Sequence, residues 1–159
     1  MIDAWRRYLA LPKADRRLLR EALALLTLVR CGLVILPFSA LRRLLHGYAT
    51  PSGDPHAVRA AVERRSVERN VPARVAWAMG ALSRRAPGPS TCLAQALVAD
   101  ALLRRRGQRS ALRIGVRKRP EATPGPITAH AWVECGDLVV VGRLDDLSEY
   151  SVLAAPELP

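Results

Sequence analysis

The stretch STCLAQALVADALLRRRG, residues 90–107, limits the possible folds more than any other part of the chain. Its middle, LAQALVADALL, is apolar on most faces at helical spacing, so a helix made from it has no broad side to offer water. Such a helix belongs at the centre of a domain with other elements packed round it. Gly107, just past the last turn, is a fitting helix stop. The other long apolar run, ALALLTLVRCGLVILPF at 22–38, is only seventeen residues, carries Arg30 near its middle and stops at Pro37. A spanning helix wants about twenty apolar residues without a central charge. A buried helix, or one lying at a membrane surface, fits the run better.

The first half reads as helices. Leu18, Leu19, Leu23, Leu26 and Val29 recur at helical spacing in a segment from about 12 to 36, which Pro37 ends or kinks. SALRRLLHG (39–47) predicts a short helix closed by Gly47, and the turn-rich YATPSGDP follows. Asp54 resembles an N-cap, with Pro55 in the first turn of a helix of about 55–69. NVP at 70–72 interrupts, 73–84 is helical again, and the central helix runs from about 91 to 106. From Ser110 the period changes to two. Leu112, Ile114 and Val116 alternate with Arg113, Gly115 and Arg117, the pattern of a half-buried strand. After a Pro-rich loop at 118–129, HAWVE, a turn at Gly136-Asp137 and LVVVG form a hairpin. The expected architecture is α+β: a mainly helical part over 1–86, then a core over 87–159 in which the central helix packs on a small antiparallel sheet. A length of 159 residues suits a single domain.

Half of the residues are apolar, which excludes a disordered chain. Three widely spaced cysteines give no disulfide framework and suit a reducing cytoplasm. Cys31, inside an apolar run, reads as a buried small hydrophobe, and Cys135 falls in a tight turn. No C-x-x-C or H-x-x-x-H spacing supports zinc, and no Walker-type glycine loop supports a nucleotide, so no cofactor is expected. The opening MIDAWRRYLALPKADRR has no apolar signal region. The net charge of +11 is uneven, since the last thirty residues carry one arginine, Arg143, against six acids. A basic body attracts nucleic acid, anionic lipid or an acidic protein, although solvated helix faces account for it as well. None of the seven aromatics is interleaved with the basic clusters as base stacking requires, so nucleic acid is not the expected partner.

The chemistry centres on Cys92. A thiolate is favoured by a helix N-terminus and by a nearby imidazolium, and Cys92 stands where the central helix begins. Pro87, Gly88 and Pro89 would hold the preceding loop against the helix start, leaving backbone N–H groups near the sulfur to stabilise an oxyanion. The second requirement is a histidine. His130 opens the strand after the loop, whereas His46 and His56 lie in helical or turn segments of the first half.

Taken together, STCLAQALVADALLRRRGQRSALRIGVRK, AHAWVE and VVVG resemble the bacterial transglutaminase-like cysteine peptidases, and more narrowly the leader peptidases of lasso-peptide biosynthesis. The resemblance runs from about Pro89 to Leu153 and implies a transglutaminase/papain-like core. Upstream, LLREALALLTLVRCGLVILPF resembles the helical first part of the stand-alone form, in which a separate small protein recognises the precursor's leader. All strand patterning lies after residue 108, so no leader-binding winged helix is expected here. The resemblance makes Cys92 the nucleophile at the carbonyl of the leader's last residue, and His130 the base and then the acid. A leader threonine next to last before the cut is the family's habit. A separate ATP-dependent cyclase would then close the freed core peptide.

A Cys-His pair usually needs a third group to fix the imidazole tautomer. In the family an aspartate commonly lies about twelve residues beyond the histidine, where this chain has Gly142, nearly opposite His130 across the expected ladder. A glycine side chain cannot orient the ring. Asp145 or Asp146 would have to curl back, and Glu134 shares the His130 face but is too far along it. Trp132 on that face, and Gln95 one turn after Cys92, are candidate substrate contacts beside their ordinary packing roles. The leading expectation is thus a cytoplasmic cysteine endopeptidase of precursor-peptide maturation, with the leader peptide, a leader-recognition protein and a lasso cyclase as partners. Two alternatives come from other classes. One is a catalytically reduced scaffold or leader-binding protein of the same fold. The other is a basic nucleic-acid or membrane-surface binder. Under the peptidase reading, the 22–38 segment is expected to offer a docking face for the partner or to make the isolated protein poorly soluble.

Overall fold

The computed structural model describes residues 6, 8–49, 70–84, 91–118 and 127–153. Helices α1 (Lys13–Ile35), α2 (Phe38–Ala49), α3 (Val71–Ser83) and α4 (Cys92–Arg105) precede strands β1 (Ala111–Lys118), β2 (Ile127–Cys135), β3 (Leu138–Val141) and β4 (Ser151–Leu153). A 3₁₀ turn at Leu147–Glu149 leads into β4. The mixture of helix and sheet is the α+β class expected from the sequence. The Asp54 cap, His56, the helix at 55–69 and the loop at 87–90 lie outside the described residues.

The apolar spacing of α1 explains its packing. Leu18, Ala22, Leu25, Leu26 and Val29 fall on one side and are buried. Cys31 falls on the other side and is exposed, so the expectation of a buried thiol was wrong. A hydrophobic run does not say which of its members face inward; the helical period does. At the end of α1 Leu36 is extended (φ −110°, ψ 145°), the conformation the following proline favours. The helix after it runs through Gly47 to Ala49, because a helical glycine costs only about 1 kcal/mol and packing outweighs that. Pro72 starts α3 instead of breaking it: in a first turn its missing N–H costs nothing.

Helix α4 is the central element. Ala94, Ala96, Leu97, Val98, Ala99, Ala101, Leu102 and Leu103 are all buried, and α1, α2, α3 and β2 all pack on it. The alanines keep neighbouring backbones close, and the leucines fill the space between them. Leu102 and Leu103 are wholly buried, and side chains of that kind typically lose about 2–5 kcal/mol on truncation to alanine.

The sheet order is β3-β2-β1-β4. Strands β1 and β2 pair antiparallel with Gly115 opposite His130 and Arg113 opposite Trp132. β2 begins at Ile127, so His130 stands inside the strand and not at its head. The hairpin turns at Gly136, with φ +59°, and the β2–β3 register shifts by a bulge between Val133 and Glu134. Alternation sends Ala131 and Val133 into the core that contains α4, and therefore sends His130, Trp132 and Glu134 to the other face.

Candidate active site

The candidate nucleophile sits where the sequence places it. Thr91 caps α4 by accepting a hydrogen bond from the Ala94 amide on its Oγ1 at 3.2 Å, which makes Cys92 the first residue of the helix. The amides of a first turn have no intrahelical acceptor, and the helix dipole is positive there. The thiol is half-buried and packs against the edge of the core. Gln95 is half-buried one turn further on, its backbone amide bonded to the Thr91 carbonyl at 3.2 Å.

His130 is half-buried on β2, and its Nε2 lies 2.7 Å from the carbonyl oxygen of Gly142. A carbonyl only accepts, so Nε2 carries a proton, and in the neutral ring Nδ1 is then the nitrogen with the lone pair. Gly142 thus supplies through its backbone the orientation that its missing side chain cannot. The residue is confined to glycine: its φ is +81°, and a Cβ would lie 2.6 Å from the Ala131 carbonyl oxygen and 2.8 Å from Trp132 Cβ. An aspartate does not fit position 142 in this backbone.

Trp132 stacks beside His130, with ring centroids 6.2 Å apart and planes 15° from parallel. It is only 2% exposed. Its indole N–H donates to Glu134 Oε1 at 2.8 Å, and Glu134 Oε2 accepts from Arg113 Nε at 3.2 Å. Glu134 therefore holds the tryptophan, not the histidine. Tyr150 completes the cluster, its ring 5.7 Å from that of His130 and 6.5 Å from that of Trp132. Gly115 lies beneath the rings: a Cβ there would come within 2.9 Å of Trp132 and 3.0 Å of Tyr150.

Neither candidate acid reaches the imidazole. Asp146 pairs with Arg117, which also binds Glu149 at 2.8 Å and lies over the Tyr150 ring at 5.0 Å. Asp145 is exposed. The curl that would bring these residues back to His130 is taken up by the 3₁₀ turn, which spends Asp146 on Arg117. Cys92 forms no hydrogen bond with His130 among the described residues. The structure joins His130 to Gly142, Trp132 and Tyr150, and holds Cys92 on the helix that packs against the other side of the same strand. Sequence reasoning missed the Gly142 carbonyl, Gly115 and Tyr150. The first had a signal, a glycine that ends the run of three valines in β3.

Cys135 has its thiol pushed up by burial, which disfavours the thiolate. Among the described residues no group of three or more His, Cys, Asp or Glu side chains is placed to hold a metal ion. A cavity of about 620 Å³ lies away from this chemistry, between α1, α2, α3 and the C-terminal end of α4, with Lys13, Arg17, Arg74, Arg105 and Arg106 in its wall. Neither Cys92 nor His130 lines it.

The model of the transglutaminase-like superfamily matches residues 25–155. No curated protein and no solved structure matches the chain. Proteins of this superfamily are generally cysteine proteases or transglutaminases. With a cysteine opening the central helix, a histidine on the adjoining sheet and a match over most of its length, the chain belongs to the transglutaminase-like superfamily.

Proposed function

We propose that the protein is a cysteine endopeptidase that removes the leader from a ribosomally made lasso-peptide precursor. The observation that carries the reading is the His130–Gly142 contact, because it leaves Nδ1 as the basic nitrogen. Family membership supports thiol chemistry. The lasso assignment rests on the resemblance of the Cys92 helix, RIGV strand and HAWVE segment described above.

The residues carry a balanced sequence of steps. Nδ1 of His130 takes the Cys92 proton as the sulfur bonds to the carbonyl carbon of the leader's last residue. The carbonyl electrons move to oxygen, where the Cys92 and Leu93 amides at the start of α4 stabilise the charge, the Ala94 amide being held by the Thr91 cap. The intermediate collapses, the C–N bond breaks, and His130 returns its proton to the leaving amine of the core peptide. Water then gives a proton to His130 and attacks the thioester; the C–S bond breaks, His130 returns that proton to the Cys92 sulfur, and the leader leaves as a carboxylic acid. The peptidase reading requires a rearrangement on substrate binding that brings Cys92 and His130 to one side of β2, because α4 packs on the face opposite His130. Gln95 stands as the substrate-side candidate, and no aspartate takes part. Trp132, 2% exposed and bonded to Glu134, packs beside His130 and is not free to touch substrate as expected. A separate leader-recognition protein presents the precursor, and a lasso cyclase uses the freed amine.

A second reading is a catalytically reduced scaffold that binds the leader. It is favoured by the carbonyl in place of a carboxylate on His130. Incubating the cognate precursor with this protein and the leader-recognition protein separates the two. A single new amino terminus at the leader–core junction, read by mass spectrometry, supports the peptidase. Leader binding without any cut supports the scaffold.

A further inference from the structure

The solvent side of α1 changes character along its length. Lys13, Arg16, Arg17 and Arg20 occupy the first two turns. Beyond them the same side carries Leu23, Leu28, Cys31, Val34 and Ile35. Positions 16, 20, 23, 27, 31 and 34 recur at steps of three and four, so they form one line down the helix. Leu28 is 66% exposed, Val34 87% and Ile35 77%. Thr27, on this line, donates its hydroxyl to the Leu23 carbonyl at 3.0 Å, so its polar group is already satisfied within the helix. The corner after α1 continues the patch: Leu36 and Pro37 are exposed, and α2 adds Leu44, 62% exposed, beside the exposed Arg43.

The charge on this part of the molecule is one-sided. Residues 13–49 hold seven Lys or Arg against two acids, Asp15 and Glu21. Both acids are engaged inside the fold. Asp15 binds Arg74 at 2.7 Å; Glu21 accepts from Tyr48 at 2.6 Å and from Arg106 at 2.6 Å. The outward line of α1 thus presents cations and apolar side chains with no carboxylate among them.

We infer that the protein is a peripheral membrane binder whose α1 lies flat on a lipid surface rich in acidic headgroups. Leu28, Val34, Ile35 and the α1–α2 corner enter the acyl boundary, and Arg16 and Arg20 rest on the phosphates. The apolar residues stand on an outward helix face and corner, a shape that a fluid bilayer accommodates without a matching groove. No helix among the described residues is long and apolar enough to cross a membrane, and Arg30 within α1 opposes spanning. The inference does not depend on the peptidase reading.

The test is co-sedimentation of the full chain with vesicles of equal phosphatidylglycerol and phosphatidylcholine, and with phosphatidylcholine alone. Wild type is expected to bind the acidic vesicles about tenfold or more tightly than the neutral ones. Val34→Glu with Ile35→Glu should weaken that binding by about tenfold or more, and Arg16→Glu with Arg20→Glu should remove the preference for acidic lipid. Both pairs lie on the outward side, and circular dichroism checks that helicity is kept. Should the glutamate pair disturb the fold, Leu28→Ser with Val34→Ser carries the same expectation. Three results would overturn the inference: no binding of wild type to acidic vesicles, equal binding by the Val34/Ile35 variant, or a variant whose only change is from oligomer to monomer. The last would assign the patch to a protein contact.

Discussion

At Gly142 a residue that looks like a loss in the sequence acts as a part in the structure. The usual carboxylate partner of the histidine is absent, but the backbone turns at φ +81° and aims a carbonyl at Nε2. A neutral carbonyl fixes the tautomer as a carboxylate does, yet stabilises the imidazolium less. Side-chain inventories cannot see this, because the acceptor belongs to the chain itself. Gly142→Ala should lower stability by about 1–3 kcal/mol, measured by thermal or denaturant unfolding, since it combines a left-handed φ with a clash on Ala131. Gly142→Asp should fare no better and should not raise any cleavage activity, despite restoring the residue type the family commonly uses. A more active Gly142→Asp would show that the carbonyl does not hold the ring.

Among the elements, α4 was the most legible and the sheet edges the least. An apolar helix with Thr91 before it and Gly107 after it carries its own start, stop and burial. Thr91→Ala should cost about 1 kcal/mol in unfolding free energy, by freeing the Ala94 amide from its cap. The three-residue β4 was invisible, because it is too short for a period and owes its existence to pairing with Ile114, Gly115 and Val116. The true start of β2, before His130, was hidden by its proline-rich approach. Polar ties between helices were equally silent in the sequence. Burial alone would raise the Glu21 carboxyl, but hydrogen bonds from Tyr48 and Arg106, with the charges of Arg106 and Arg105, hold it below its ordinary value. Burial and the bond to Glu21 push Tyr48 up from 10.0 to about 12. Because the fold favours the protonated phenol, its stabilisation is complete below pH 10 and is lost as pH rises towards about 12. Glu21 works in the opposite sense: its contribution is present above the ordinary carboxylate range and is lost in acid as pH falls through the lowered value. Tyr48→Phe should flatten the alkaline limb of a stability–pH curve, a change that denaturant midpoints taken across that range would detect.

Across the whole molecule, the charge and the chemistry occupy different places. The helical part carries the basic excess and the outward apolar line of α1, while the final thirty residues hold one cation against six acids. Composition revealed that division, and the helix-to-strand change of period at about residue 110 revealed the architecture. Which face of β2 carries His130 relative to the α4 packing face emerges only from the register. The most direct measurement is cleavage of the cognate precursor, with the leader-recognition protein present, by wild type, Cys92→Ala and His130→Ala, followed by mass spectrometry. The expected result is one cut by wild type and none by either variant, with both variants still folded. A Cys92→Ala protein that cuts at the wild-type rate would contradict the assignment and leave α4 a packing helix alone.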